Sequence, residues 1–236
     1  MSKTNNINYT FNPKITFPAF LVRNRLLNGI KRQVPLLKGR LMDFGCGSKP
    51  YKSLFTVDEY IGIDFENPGH DHTNEQIDVY YDGKKIPFDD NYFDSAFSSE
   101  VFEHVFNLPE VLKEIHRVMK KDALILITCP FAICEHEAPN DFARYSSYAL
   151  RDIMQKNGFE VVAQEKLGNS VDVVVQLWIM YVHIHIMPCF RKLPIIRSGI
   201  RYFTYISLNI LAILWGKFFP DGNELYLNNL ILCKKI

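Results

Sequence analysis

Apolar positions along the chain fall into two periods. Short alternating or continuous apolar runs predict strands at Leu41–Asp43, Tyr60–Ile63, Ile77–Tyr81, Phe93–Ser98, Leu124–Thr128, Phe159–Glu165 and Leu225–Cys233. Between them, three- and four-residue spacing predicts helices at Phe17–Val34, Pro109–Lys120 and residues 146–157. Pro35 stops the first of these, and Ser146 and Gly158 bracket the third. The unbroken run Leu124–Thr128 has the pattern of a central strand covered on both faces. The segment Phe65 to Gln76, between the second and third strands, is too polar and broken for a full crossover helix. Strands alternating with helices predict an α/β fold: a seven-stranded, mostly parallel, Rossmann-like sheet with helices on both faces.

One region breaks the pattern. From Val173 to Pro220 there is no Asp or Glu, whereas Arg191, Lys192, Arg197, Arg201 and Lys217 are basic and the remainder is largely aliphatic and aromatic. This apolar basic helical insertion precedes the last strand. It suits docking on an anionic membrane surface, cover for the sheet, or a homodimer interface. The chain accordingly divides into an N-terminal arm and helix (1–37), a core (38–170), the insertion (171–222) and a last strand completing the sheet (223–236).

With 236 residues, 47% of them hydrophobic, the chain is long enough to bury one α/β core plus an appendage, and its net charge of +1 says little, because it averages over very unequal segments. Basic residues sit among apolar ones and not in a polar groove, so nucleic acid is not expected as a partner. Five cysteines with no C-x-x-C pair fit a reducing compartment. The polar N-terminus does not resemble a secretory signal, and no uncharged run reaches the length of an evident membrane span. The expected location is cytoplasmic, with possible peripheral contact at the inner membrane face.

The most informative stretch is Asp43-Phe44-Gly45-Cys46-Gly47-Ser48-Lys49-Pro50, a strand ending in an acid and followed by a two-glycine turn. A second strand closes on Asp64. Strand, glycine turn and acid-tipped strand suit a nucleoside cofactor. A dinucleotide site requires a third glycine where this chain has Pro50, which disfavours a nicotinamide-dependent oxidoreductase.

Asp43 to Gly47, Asp64, Asp82 with Ile86-Pro87-Phe88, Phe93-Asp94, Glu100-Val101-Phe102-Glu103-His104-Val105 and Leu112 to Val118 together resemble the class I S-adenosylmethionine-dependent methyltransferases, and among them the methyltransferase type 11 group. The resemblance covers roughly residues 38–166. It implies S-adenosyl-L-methionine as cofactor, bound at the Asp43-Gly45-Cys46-Gly47 turn with Gly45 and Gly47 under its methionine end and Cys46 as a small filler, Asp64 on the ribose, Asp82 and Gly83 at the adenine, and Ser99 and Glu100 on the methionine side. It departs from the family at Lys120-Lys121-Asp122-Ala123, where a Pro-Gly-Gly turn is usual.

After the fifth strand, Glu135-His136-Glu137-Ala138-Pro139-Asn140-Asp141-Phe142-Ala143-Arg144-Tyr145 resembles a segment of methyltransferases from bacterial surface-glycan and lipid-linked pathways. It implies a glycan, lipid-linked or other small-molecule acceptor, with Glu135, Asp141, Arg144 and Tyr145 as substrate-binding candidates. His136 and His104 are the candidate catalytic bases for methylation at oxygen, because imidazole titrates near neutral pH. No metal-ligand spacing stands out, and no metal is expected. The alternative is a methyltransferase-like binding or scaffold domain without turnover.

Overall fold

The computed structural model describes residues 11–65, 76–220 and 222–236. Seven strands form one sheet: β1 (Arg40–Phe44), β2 (Glu59–Phe65), β3 (Val79–Tyr81), β4 (Phe93–Ser99), β5 (Met119–Pro130), β6 (Phe159–Leu167) and β7 (Asn228–Lys235). Their order is β3-β2-β1-β4-β5-β7-β6. The first five strands in that order pair in parallel, and β7 runs antiparallel between β5 and β6. The order reverses between β1 and β4, and in open α/β sheets a ligand crevice lies outside the carboxyl ends of the strands at such a reversal.

Five helices cover the two faces. Helices α2 (Leu108–Val118) and α3 (Ser147–Lys156) close one side, burying Leu112, Ile115, Leu150 and Met154. Helix α1 (Phe20–Gln33) closes the other side together with two helices of the insertion, α4 (Ser170–Tyr181) and α5 (Pro194–Phe218). The predicted helices stand within three residues of their expected limits. Pro109 sits in the first turn of α2, where its missing N–H has no intrahelical partner to lose. Ser146 caps α3 by accepting from Ala149 N at 3.2 Å.

The sequence reading and the structure differ at the start of β5. The strand begins at Met119, five residues before the apolar run, and carries Lys120 to Asp122 on its exposed entry. Asp122 has φ +63, a left-handed conformation that short polar side chains tolerate better than most. The predicted break between β2 and β3 lies largely outside the described residues.

The insertion is partly core. Asp172 is fully buried on α4, and its carboxylate receives Nε and Nη2 of Arg25 from α1 at 2.8 and 3.1 Å. Gln176, one turn on, donates to Pro18 O at 2.8 Å. Asn209 of α5 donates to Ile15 O at 2.7 Å, so the N-terminal arm is held down by the insertion. By length and composition, Ser170–Phe190 is apolar enough to cross a membrane, with a mean hydropathy of 1.6, and 33% of it is buried inside the fold. The sequence reading found no such span. Tyr181 passes into a π turn (Val182–Ile186) and then a short 3-10 turn, and that continuity creates the length.

Candidate active site

The turn after β1 opens onto a cavity of about 280 Å³ lined by Asp43, Gly45, Cys46, Gly47, Ser99 and Glu100, together with His104 and His136. Eight of the sequence-predicted site residues therefore meet at one place, the reversal between β1 and β4. The two glycines do different work. Gly45 has φ +73, and a Cβ there would lie 2.3 Å from the Val101 side chain, so a side chain is excluded by packing as well as by backbone. Gly47 has φ +44 and nothing within 4 Å of where its Cβ would stand. Open space beside Gly47 is what a ligand against the turn requires.

The turn is braced from behind. Gly47 N donates to Asp64 Oδ2 at 2.8 Å, and Phe65 N to Oδ1 at the same distance, so Asp64 ties the tip of β2 to the turn. Asp43 is buried and accepts from Tyr60 Oη at 2.5 Å. Burial, foremost, pushes its carboxyl up to about 7, against the lowering effect of that hydrogen bond. Lys49 is buried at φ 51 and pairs with Asp78, which also accepts from Gly62 N at 2.7 Å. Cys46 is buried, and its thiol is pushed up by desolvation and by Asp43, so it acts as filler packed on Gly62.

Across the cavity, Glu100 has φ +58 and donates its backbone N–H to Thr128 O. Its Oε2 accepts from Asn228 Nδ2 at 2.6 Å, while Oε1 is buried without a hydrogen-bond partner among the described residues. Desolvation pushes this carboxyl up to about 7. Ser99 Oγ lies 2.8 Å from Thr128 Oγ1.

The loop after β5 folds back onto the turn Phe102–His104. Phe142 N and Ala143 N both donate to Glu103 O, at 2.8 and 3.2 Å. This stitch sets the rings of His104 and His136 edge to face, with centroids 4.9 Å apart. Glu103 lies between them, fully buried, with neither carboxylate oxygen hydrogen-bonded among the described residues. Its Oε1 is 3.6 Å from His104 Nε2 and 4.0 Å from His136 Nε2. Burial and the nearby Glu100 carboxylate push Glu103 up to about 9.

Asp141 and Arg144 brace this arrangement. Asp141 accepts Arg144 Nη1 and Nη2 at 2.5 and 2.6 Å and the backbone N of His136 at 2.9 Å. The Arg144 guanidinium holds the Asp141 carboxyl well below the usual carboxylate range. Tyr145 packs against the core, its carbonyl accepting from Asn229. Glu135 is exposed, outside the cavity. Asp82 and Gly83 also lie apart from the cavity. Asp82 accepts from Lys84 N and Lys85 N at 2.9 and 3.1 Å as a turn residue, and Gly83 packs beneath the Phe65 ring. The approach to them through residues 66–75, including His72, lies outside the described residues.

Several cavity residues came from parts of the sequence that carry no motif. Phe11, Arg23, Gln176 and Met180 line it from the arm, α1 and α4. Arg23 stacks over the Phe11 ring at 4.6 Å, and Phe11 packs edge-on against Tyr51. The only sequence signal for Gln176 was its lone polarity within Val173–Met180, where a buried amide requires a partner. Glu103 was visible inside Glu100-Val101-Phe102-Glu103-His104 but was not singled out. Two histidines outside the cavity are hydrogen-bonded elsewhere: His116 Nε2 is 3.2 Å from Ile236 O, and His183 Nδ1 is 2.6 Å from Tyr205 Oη.

These residues fit S-adenosylmethionine at its methionine end. The Gly47 turn leaves room for a ligand, Glu100 lines the cavity with its buried Oε1 lacking a hydrogen-bond partner among the described residues, and no diphosphate cradle is required. Residues 42–127 match the model of a family described as a methyltransferase domain. No curated protein matches the sequence. Among solved structures, the fold resembles a SAM-dependent methyltransferase from Archaeoglobus fulgidus, at 18% identity over 97% of this chain and 100% of that one, with a TM-score of 0.55. It also resembles a putative sarcosine dimethylglycine methyltransferase from Galdieria sulphuraria (17% identity, 92% and 84% covered, TM-score 0.52) and the [4+2]-cyclase SpnF (18%, 90% and 81%, 0.54). The cyclase is a reminder that this fold carries more than one chemistry, so the family rests on the matched segment and the site residues it contains. Residues 42–127 are thus a methyltransferase domain, and match and fold together are consistent with class I, S-adenosylmethionine-dependent methyl transfer.

Proposed function

We infer that this methyltransferase methylates an oxygen of a sugar, lipid-linked or other small acceptor held beside the Glu135–Tyr145 loop. The observation that carries the reading is the pair His104 and His136, facing the glycine turn across one cavity. When bound, S-adenosylmethionine supplies a methyl group on a positive sulfonium, already a good leaving group. What remains for the protein is to align the acceptor and dispose of a hydroxyl proton. Gly45 and Gly47 would pass under the methionine end, Asp64 would hold the ribose, Asp82 and Gly83 would stand toward the adenine, and Ser99 with Glu100 would contact the methionine group. His136, oriented by Asp141, would take the proton, with His104 beside it. Glu135 at the loop's outer edge and the Asp141–Arg144 pair would meet the acceptor's polar groups.

Replacing His136 by Ala is expected to abolish transfer to hydroxyl acceptors and to leave S-adenosylhomocysteine affinity within twofold. Unchanged turnover would refute the assignment. A domain that only binds would retain S-adenosylhomocysteine and methylate nothing in a panel of sugar and lipid-linked alcohols.

A second element of the proposal concerns place. Val174, Leu177, Trp178 and Tyr181 on α4, with Ile195, Phe203, Trp215 and Phe218 on α5, are exposed near Arg191, Lys192, Arg197 and Arg201. Exposed apolar rings beside basic residues support peripheral docking on the anionic, cytoplasmic face of a membrane, which would bring the cavity to a lipid-linked acceptor. A second copy of the chain seated on the same surface is the competing occupant.

A further inference from the structure

Glu103, His104 and His136 converge although Phe102–His104 and the Glu135–Tyr145 loop are separated by all of α2 and β5. One ligand atom from each lies within 4.8 Å of the others, and Glu103 Oε1 is 3.6 Å from His104 Nε2 and 4.0 Å from His136 Nε2. We propose that these three side chains form a binding site for a divalent transition-metal ion of the zinc class, set in the wall of the cavity. Two imidazoles and one carboxylate, with a further position left open, are a catalytic rather than a structural zinc ligand set.

Three independent observations support ligands over packing. The first is Glu103, which is 0% exposed and has no hydrogen-bond partner for either oxygen among the described residues. A buried carboxylate without partners is costly unless a cation or donor compensates it. The second is the orientation of the imidazoles. His104 Nδ1 is 2.6 Å from Asn140 O, an acceptor only, so that nitrogen carries the hydrogen and Nε2 presents its lone pair toward Glu103. His136 Nδ1 has two acceptors in reach, Cys134 O at 3.3 Å and Asp141 Oδ2 at 3.4 Å, whereas the one donor nearby, Arg144 Nη2 at 3.3 Å, already donates to Asp141 Oδ2 and Cys134 O. Carbonyl and carboxylate partners on the far nitrogen are how metal-binding histidines are usually held. The third is spacing. Donors around a tetrahedral zinc stand roughly 3.3–3.5 Å apart, given bonds of about 2.0–2.2 Å. The separations of 3.6 and 4.0 Å from Glu103 Oε1 exceed that spacing by roughly 0.1–0.7 Å, within reach of side-chain adjustment.

Glu137 Oε2, 3.7 Å from His104 Nε2 and largely exposed, stands at the cavity side as a displaceable fourth donor. An oxygen-bearing acceptor would take the open position. That role rests on the O-methylation reading above: a hydroxyl bound to the cation would be acidified and would pass its proton to Glu137 or to water, and His104 and His136 would then hold the ion in place of the free-base role given to His136 above.

The test uses the full chain stripped with a chelator and titrated with zinc alone by calorimetry, with cobalt(II) substitution read by visible absorption. One equivalent is expected, with the intense visible bands of low-coordinate cobalt. Glu103→Gln and His136→Ala should each weaken binding at least tenfold and remove the bands, while His183→Ala, remote from the site, should change neither. Less than one equivalent, or equal affinity in Glu103→Gln, overturns the site. His136→Ala, at a partly exposed ring, keeps the test open if Glu103→Gln fails to fold. Full-rate transfer to a hydroxyl by metal-free chain overturns the site and leaves the function standing. Stoichiometric zinc binding with no hydroxyl acceptor methylated does the reverse.

Discussion

Asn228 Nδ2 donates to Glu100 Oε2 at 2.6 Å, joining the first residue of the last strand to the loop after the fourth. The antiparallel strand β7 therefore fixes the orientation of a cavity carboxylate 128 positions earlier in the chain. Replacing Asn228 by Leu removes the donor and leaves Glu100 enclosed. A loss of about 1–3 kcal/mol in folding stability is expected, together with weaker S-adenosylhomocysteine binding, read by urea unfolding and calorimetry. A variant as stable as the parent would show that Glu100 does not need this donor.

The two glycines of the turn should separate cleanly. Gly45→Ala drives a methyl group into Val101 and is expected to destabilise the fold by about 2–4 kcal/mol from overpacking and left-handed strain. Gly47→Ala meets no atom and should cost only about 1–2 kcal/mol of strain. Its main effect should be on the cofactor, with affinity falling at least tenfold, or about 1.4 kcal/mol. Calorimetry with S-adenosylhomocysteine checks this, and equal affinities would place the cofactor elsewhere.

Stability should carry a signature of Asp43. Its carboxyl is raised from 3.8 in the unfolded chain to about 7 in the folded one, first by burial. Between those values the folded state binds more protons. The contribution is therefore fully present below about 3.8 and is lost as pH rises through about 7. Asp43→Asn, which retains an acceptor for Tyr60, should lose less stability than the parent on going from about pH 5 to about pH 8. Chemical denaturation at the two values reads the difference, and parallel losses would remove Asp43 as the source.

The Arg25–Asp172 pair should be what holds the insertion to the sheet. The Asp172 side chain is 1% exposed and that of Arg25 36%. Asp172→Ala strands a partly buried guanidinium and is expected to cost about 2–4 kcal/mol, below the figure for a fully buried pair because Arg25 reaches solvent. Because α4 also supplies Gln176 and Met180 to the cavity, ligand affinity should fall with it. Loss of stability without loss of affinity would mean that α4 does not shape the site.

Co-sedimentation with vesicles tests the apolar face of α4 and α5. Binding to anionic vesicles at low salt, reduced at high salt and in a Trp215→Ser, Phe218→Ser double variant, is the expected result. Vesicle-independent dimerisation reduced by the same variant would assign the surface to a second copy.

The sequence by itself determined the sheet and its cofactor end. Turn glycines, acid-tipped strands and the apolar period are local demands of the backbone, and neighbouring residues carry them, so Asp43 to Gly47 and the Ser99-Glu100 tip could be read directly. Their union in one cavity followed from strand order, because β1 and β4 lie side by side at the reversal. Only the tertiary structure decided the rest. Asp82 appears in an ordered motif, but that its side chain accepts from Lys84 and Lys85 N–H is a local contact that sequence spacing does not show. Arg23, Gln176 and Met180 belong to helices whose faces are chosen by packing against the sheet. Glu103 and His136 have no fixed spacing at all. They meet because the backbone of Phe142 and Ala143 pairs with the carbonyl of Glu103, a long-range contact that exists only after β5 has carried the chain across the sheet.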